Sequence, residues 1–263
     1  MEEEEMGIKL PQISERDMFA MLLSEDEERG DEEPAIASGI AVQMKHMELD
    51  PMPFSMRARI RDICSRIPAN NVVLIGGGIG YLAAWLLDLW CGDPANPPDE
   101  EPARPDSFKI VEPGGKFGVI INRLIRRHDA DSWTQVITKQ WQELVAENNS
   151  WSAATATLTE PTNSPLLPAP LDLVIIDVPD SDRASTALTA FEMLSKGGIM
   201  IVQEPEVPTG DVGVPEPGQQ LTDEQISVEA FNSWIEFVKL VSESHSLGFV
   251  ELLGGNLAVF RKN

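Results

Sequence analysis

Five residues, Gly76-Gly77-Gly78-Ile79-Gly80, separate a β-rich run from an amphipathic stretch. A glycine-rich loop in that context lets a ligand approach the backbone closely. The spacing separates two ligand classes. A dinucleotide-binding loop of the G-x-G-x-x-G type would put its third glycine at position 81, where this chain has Tyr81; the last glycine falls instead at 80. The pattern G-x-G-x-G fits a ligand built from a nucleoside and an amino acid. A purely structural turn would need one or two glycines, not four.

Acidic residues stand at the ends of the apolar runs that follow. Glu112 ends the second, where a carboxylate can accept hydrogen bonds from both hydroxyls of a ribose. It lies 36 residues beyond Gly76, further than the roughly 20 of a compact motif, and a proline-rich insertion at 91–107 accounts for the excess. Read structurally, Glu112 is a loop carboxylate before the turn Pro113-Gly114. Asp177 ends the run 171–176 and faces the crevice where an open sheet binds its ligand. Asp180 and Asp182 follow it. Clustered carboxylates raise one another's pKa and supply a general base, or bind a divalent cation. Asp180 and Asp182 serve equally as caps of a helix starting near residue 184. Gln203 and Glu204 end the next run and line an acceptor pocket, complete an oxygen-ligand metal site with Asp177, or are plain loop polarity. His46, His128 and His245 lie far apart and read as packing or surface residues. Trp133, Trp141, Trp151 and Trp234 read as core or lid residues, with an aromatic acceptor as the alternative role.

Strands alternating with helices must position these groups. From residue 71 the pattern gives strands at 72–75, 108–111, 134–138, 171–176 and 199–202, with helices at 79–90, 116–127, from about 142, 184–194 and 223–244. Residues 151–159 are a weaker alternative for the third strand. The apolar run 173–176 within the strand 171–176 is typical of a central parallel strand buried on both faces. Residues 249–261 read as a hairpin with a glycine turn. Helices at 14–23, 35–48 and 55–66 precede the sheet. The expected division is 1–54, an acidic tail with helices that act as a lid or partner contact, and 55–263, the α/β domain. That domain carries a mobile insertion at 91–107 and a Pro/Gly-rich lid loop at 204–221.

Composition narrows the function. The 263 residues carry a net charge of −23, of which residues 1–33, with 13 acids and 3 bases, contribute −10. Such acidity argues against nucleic acid, because phosphate binding needs a basic face. Cys64 and Cys91 are too few for a disulfide framework and read as reduced. No apolar run reaches the length of a membrane span and no basic leader is present, so the expected location is the cytoplasm.

With glycine loop, Glu112, Asp177 and terminal hairpin in this order, residues 55–263 resemble the class I S-adenosylmethionine-dependent methyltransferases. The resemblance implies a Rossmann-like three-layer αβα sandwich whose seven-stranded sheet is parallel except for the last strand. It also implies S-adenosylmethionine as cofactor and a small-molecule acceptor carrying an O or N nucleophile. Gly76, Gly77, Gly78, Gly80 and Tyr81 would hold the methionine and adenosyl parts, Glu112 the ribose, and Gln142 or Glu143 would lie near the adenine. Asp177 and Asp180 are the catalytic candidates, Asp177 also touching cofactor, and Gln203 and Glu204 are the substrate-binding ones. Leu74 departs from the pattern, since many members have an acid there. Catechol-type O-methyltransferases have a metal-binding acid matching Asp177 and an Asp-Asn pair where this chain has Gln203-Glu204; that metal site is not retained, and no metal is expected. Spermidine synthases are similar at Gly76-Gly77-Gly78, Asp177-Val178-Pro179-Asp180 and Gly197-Gly198-Ile199, which keeps an aminopropyltransferase as the alternative. Ile79 and Tyr81 depart from that family. A non-catalytic binding protein on this fold is the third reading, and a homodimer through the N-terminal helices is the assembly the sequence allows.

Overall fold

The computed structural model describes residues 14–25, 32–155, 165–167, 169–210, 212–213 and 220–263. The acidic runs within 1–13 and 26–31, and positions 211 and 214–219 of the expected lid loop, lie outside the described residues. Seven strands pair in one sheet: β1 (Asn71–Ile75), β2 (Ser107–Val111), β3 (Thr134–Ile137), β4 (Leu171–Ile176), β5 (Leu194–Gln203), β6 (Ser246–Leu252) and β7 (Gly255–Arg261), in the order β3-β2-β1-β4-β5-β7-β6. Strands β1 to β5 pair in parallel. Strand β7 runs antiparallel between β5 and β6. The expected αβα sandwich with an antiparallel hairpin is the fold observed.

Side chains alternate across a strand, and the alternation divides each central strand between two cores. Val72, Leu74, Leu173 and Ile175 enter one core, and Val73, Ile75, Val174 and Ile176 the other. The first core is completed by α2 (Ala35–His46), α3 (Phe54–Ser65), α4 (Tyr81–Cys91) and α5 (Gly115–Arg127), the second by α6 (Trp141–Thr155), α7 (Asp180–Glu192) and α8 (Asp223–Ser242). Burial on both faces is why 72–75 of β1 and 173–176 of β4 are wholly apolar. Leu74, fully buried, belongs to the first core.

Helix α1 (Glu15–Leu23) lies against β6, where Phe19 and Leu23 meet Gly248 so closely that a Cβ at 248 would come within 2.2 Å of Leu23 Cδ1. Its last carbonyls are held from α3: Arg59 donates to Leu23 O at 2.5 Å and Ser24 O at 2.9 Å, and Arg66 to Ser24 O at 2.6 Å. Asp62 pairs with both arginines. Cations at a helix C-terminus offset its dipole.

Three expectations need correction. Helix α7 begins at Asp180, four residues before the expected start at 184, with Pro179 as its N-cap and no side-chain cap. A proline fits that boundary because its fixed φ is compatible with helix entry. Asp180 and Asp182 therefore occupy the first turn, where carboxylates favour the helix dipole, instead of capping a later helix. Strand β5 starts at Leu194, five residues before the expected 199, passing through Gly197 at φ 83°. Residues 151–155 belong to α6, so that alternative for the third strand fails as far as it is described; 156–159 lie outside the described residues. The insertion after α4 contains only an isolated bridge, Asp93 to Asn96, and Arg104 stacks 5.3 Å over the Trp133 ring. No described helix is long and apolar enough to cross a membrane.

Candidate functional site

Strands β1, β2, β4 and β5 all end at one edge of the sheet, and the strand order reverses between β1 and β4. Open α/β sheets bind ligands at such a switch point. A cavity of about 690 Å³ occupies it, lined by Gly76, Gly78, Glu112, Gln142, Asp177 and Arg183 among others. That size suits a small-molecule site.

The glycines of the loop are required for different reasons. A Cβ on Gly76 (φ 92°) would stand 1.9 Å from the carbonyl oxygen of Asp177, so packing alone demands glycine there. Gly78 (φ 50°) would meet nothing within 4 Å. Its backbone forms open cavity wall, a cradle that a ligand could fill. Gly76 and Gly77 donate to Val111 O at 3.0 and 3.1 Å, fixing the loop to the end of β2. Gly80, at φ 92°, is the N-cap of α4.

Glu112 is buried and accepts two backbone hydrogen bonds, from Gly78 N at 2.7 Å and Gly114 N at 2.8 Å, one on each oxygen. It clamps the glycine loop. Each carboxylate oxygen keeps a further lone pair for a ligand hydroxyl.

Asp177 follows β4 directly and is partly buried, its amide donating to Ile75 O at 2.8 Å. Burial pushes its pKa up to about 6 from an ordinary value of 3.8, against the opposing pull of Arg183 and Arg57. Both arginines line the cavity and are buried, 4% exposed for Arg57 and 6% for Arg183. Burial lowers the pKa of each guanidinium, and nearby acids oppose the shift.

Arg57 stacks on the Tyr81 ring, 3.9 Å from its centroid, donates to Tyr81 Oη at 2.8 Å and to Met52 O, and pairs with Glu33 at 3.6 Å. Tyr81 donates to Glu33. Burial and then the Glu33 hydrogen bond push the Tyr81 pKa up to about 12. On the other side Arg183 donates to Val178 O at 2.9 Å and pairs with Asp180 at 2.7 Å. Asp180 also accepts the Glu206 amide at 3.1 Å.

The structure thus gathers Gly76, Gly78, Tyr81, Glu112, Gln142, Asp177, Asp180 and Gln203 around one cavity. Gly77, Gly80, Glu143 and Glu204 do not line it. Gly77 packs inward, where a Cβ would come within 2.7 Å of Ile110. Glu143 accepts the Gln140 amide at the start of α6. Glu204 is bound by Trp234 Nε1 at 3.1 Å and Asn256 Nδ2 at 3.0 Å, tying α8 and β7 to the end of β5. Trp141, whose indole donates to Thr189 at 2.8 Å, forms cavity wall. Arg57, Arg183 and Glu33 were not foreseen. Arg183 alone left a trace in the sequence, its spacing of three from Asp180 on a helix. Among the described residues, no group of three His, Cys, Asp or Glu side chains is placed to hold a metal ion.

No protein-family model matches the sequence, and no curated protein resembles it. Solved structures resemble its fold. An O-methyltransferase from Bacillus cereus in complex with S-adenosylhomocysteine (SAH) is 14% identical with a TM-score of 0.61, over 88% of this chain and 92% of the other. TomG, an O-methyltransferase from Streptomyces achromogenes in complex with S-adenosylmethionine (SAM), is 16% identical with a TM-score of 0.57, over 94% of each chain. An SAH-bound methyltransferase from Podospora anserina is 14% identical with a TM-score of 0.58, over 98% of this chain and 99% of the other. At such identities the likeness establishes the fold alone, one that these methyltransferases share.

Proposed function

We propose that this protein is a SAM-dependent methyltransferase acting on an O or N nucleophile of a small molecule. The observation that carries the reading is the open glycine cradle at Gly78, clamped by Glu112, at the switch point of a class I methyltransferase fold. When bound, SAM supplies an electrophilic methyl group, whose bonding electron pair stays on sulfur as the acceptor's lone pair takes the carbon.

The residues divide the work. Gly76 and Gly78 of the loop, with Tyr81, would hold the methionine and adenosyl parts of the cofactor, the spare lone pairs of Glu112 would accept its ribose hydroxyls, and Gln142 would lie near its base. Asp177 is the general base. With a pKa near 6 it is mostly ionised at neutral pH yet basic enough to accept the acceptor's proton. Asp180 positions Arg183, and Gln203 contacts the acceptor. Residues 44–53 contribute Met44, Leu49, Met52 and Pro53 to the cavity wall, and Glu206 stands at its rim, which supports these described residues as the cover that keeps water from the cavity. Two cysteines, Cys64 and Cys91, are too few for a disulfide framework and fit a reducing cytoplasm. The exposed Met18, Met21 and Val42 of the N-terminal helices support a homodimer.

Calorimetry tests the reading. SAM and SAH should bind, SAM more tightly than its decarboxylated form. Glu112→Ala should weaken both by roughly 10- to 100-fold, the worth of lost hydrogen bonds to a charged group. A folded sample that binds neither ligand would sink the proposal, and tighter binding of decarboxylated SAM would favour aminopropyl transfer.

A further inference from the structure

Helix α5 carries four bases, Lys116, Arg123, Arg126 and Arg127, and no acid, in a chain whose net charge is −23. Positions 116, 119, 123, 126 and 127 recur at the three- and four-residue spacing that gathers side chains on one face of a helix. All five are exposed, Val119 at 53%, while Ile121, Leu124 and Ile125 enter the core from the opposite face. The exposed face is therefore a cationic stripe about 16 Å long, at 1.5 Å per residue, with one apolar residue in it. Asp129 follows the helix, and Asp106 and Asp131 border a cavity beside Arg126. Even so, among the described residues none of the four cations makes an ion pair or a side-chain hydrogen bond. Like charges at this spacing repel one another, and an anion laid over them removes that cost.

We propose that this face of α5 is the docking surface for the acidic run of the same chain formed by Glu2, Glu3, Glu4 and Glu5, four negative charges against four positive ones. The run lies within reach. Ser14 caps α1, and Glu15 pairs with Arg261 of β7. Arg261 stands opposite Ile199, which is level with Leu173 and Val72 near the start of the parallel strands. The last turn of α5, with Arg126 and Arg127, returns to that same edge before β3 begins. From β6 to β2 there are five interstrand steps, about 24 Å in all, and the nine residues from Glu5 to Ser14 reach about 30 Å. Tethering decides the occupant. A segment of the same chain meets α5 at an effective concentration of order millimolar. A nucleic acid, an anionic membrane or a second copy must instead approach a molecule of net charge −23. Docked, the run cancels the positive charge of the face and keeps other anionic polymers off it. None of this depends on the methyltransferase reading.

A zero-length carbodiimide joins a carboxylate to an amine it touches, with loss of water, and Lys116 is the one lysine on the stripe. In the full-length protein at low salt, mass spectrometry should find Lys116 joined to a glutamate of the run 2–5 within a single chain. The exposed Lys45 and Lys239, away from α5, should be joined to the run far less. At about 1 M salt, where charges are screened beyond about 3 Å, the Lys116 product should fall at least about threefold. Arg123→Gln combined with Arg126→Gln leaves both reacting partners in place and should lower the yield by a similar factor, the worth of two exposed charge pairs. Both arginines are exposed, and the circular dichroism of the variant should match that of the native protein. No Lys116 product, a product spread evenly over Lys45, Lys116 and Lys239, or a yield indifferent to salt and to the arginines would overturn the proposal. Products found only between chains, in a mixture of isotopically labelled and unlabelled protein, would assign the face to a second copy and overturn it as well. So would binding to phosphatidylserine vesicles that the arginine variant loses, if no Lys116 product forms.

Discussion

Replacing Asp177 by Asn should make the protein more stable at neutral pH while abolishing turnover. Its carboxyl has a pKa of about 6 in the folded chain against an ordinary value of 3.8, so the folded state binds this proton more tightly than the unfolded state does. Below about pH 4 the group is protonated in both states and contributes nothing. Between about pH 4 and 6 the unfolded chain ionises first, and above pH 6 both are ionised, so the cost of the buried charge is fully present there. At about 1.4 kcal/mol per pH unit, the difference amounts to roughly 3 kcal/mol. The opposing influence of Arg57 and Arg183 is already contained in that difference, and Asn keeps the volume of the side chain. Urea unfolding of Asp177→Asn and the native protein, measured from pH 4 to pH 8, should give equal stabilities at the acid end. The variant's advantage should grow to about 3 kcal/mol by pH 7, a rise of roughly 6–12 °C in Tm. A stability difference that is independent of pH, or a variant less stable at pH 8 than at pH 4 relative to native, would refute the assignment of a strained carboxylate.

Tyr81 is the sole tyrosine of the chain, so ultraviolet absorbance reports it alone: tyrosinate should form near pH 12 and not near 10, and Glu33→Gln should lower that midpoint, whereas a native midpoint at 10 would dismiss the buried hydrogen bond. Gly76→Ala should destabilise the fold by about 3 kcal/mol through overpacking and a left-handed backbone, while Gly78→Ala should cost only about 1 kcal/mol in stability yet weaken SAH binding; calorimetry and thermal unfolding of the two variants would expose any reversal. Glu204→Ala strands the indole N–H of the fully buried Trp234, for a loss of about 2 kcal/mol in urea unfolding, and should leave SAH affinity unchanged, against a direct role in binding.

The fold was legible because its strongest signals are local. The apolar run 173–176 and the glycine loop after Asn71–Ile75 each declare a buried strand end, and the Gly254-Gly255 pair declares the hairpin. The start of α7 was misjudged because first-turn acids and capping acids look alike until the position of Pro179 is known. Strand-end placement brought Glu112, Asp177 and Gln203 to the right edge, yet it does not say which way a side chain turns, and Glu204 turned toward Trp234 and Asn256. Arg57 stayed hidden because its partners Glu33 and Tyr81 each lie 24 residues away on other segments, whereas Arg183 showed only its helical spacing from Asp180. Pairing of that kind is a property of the assembled sheet, not of any window of sequence.

The attachment of α1 sets how this molecule should respond to salt. The helix buries only Phe19, and its C-terminal carbonyls are held by Arg59 and Arg66. Phe19, Leu22 and Leu23 are the apolar contribution of α1 to the first core, and the arginine contacts add a charged share to its docking that α2, α4 and the sheet interior do not depend on. Raising ionic strength should therefore loosen α1 ahead of everything else. In hydrogen–deuterium exchange its amides would lose protection first, uncovering Gly248 on the outermost strand while the sheet interior remains closed.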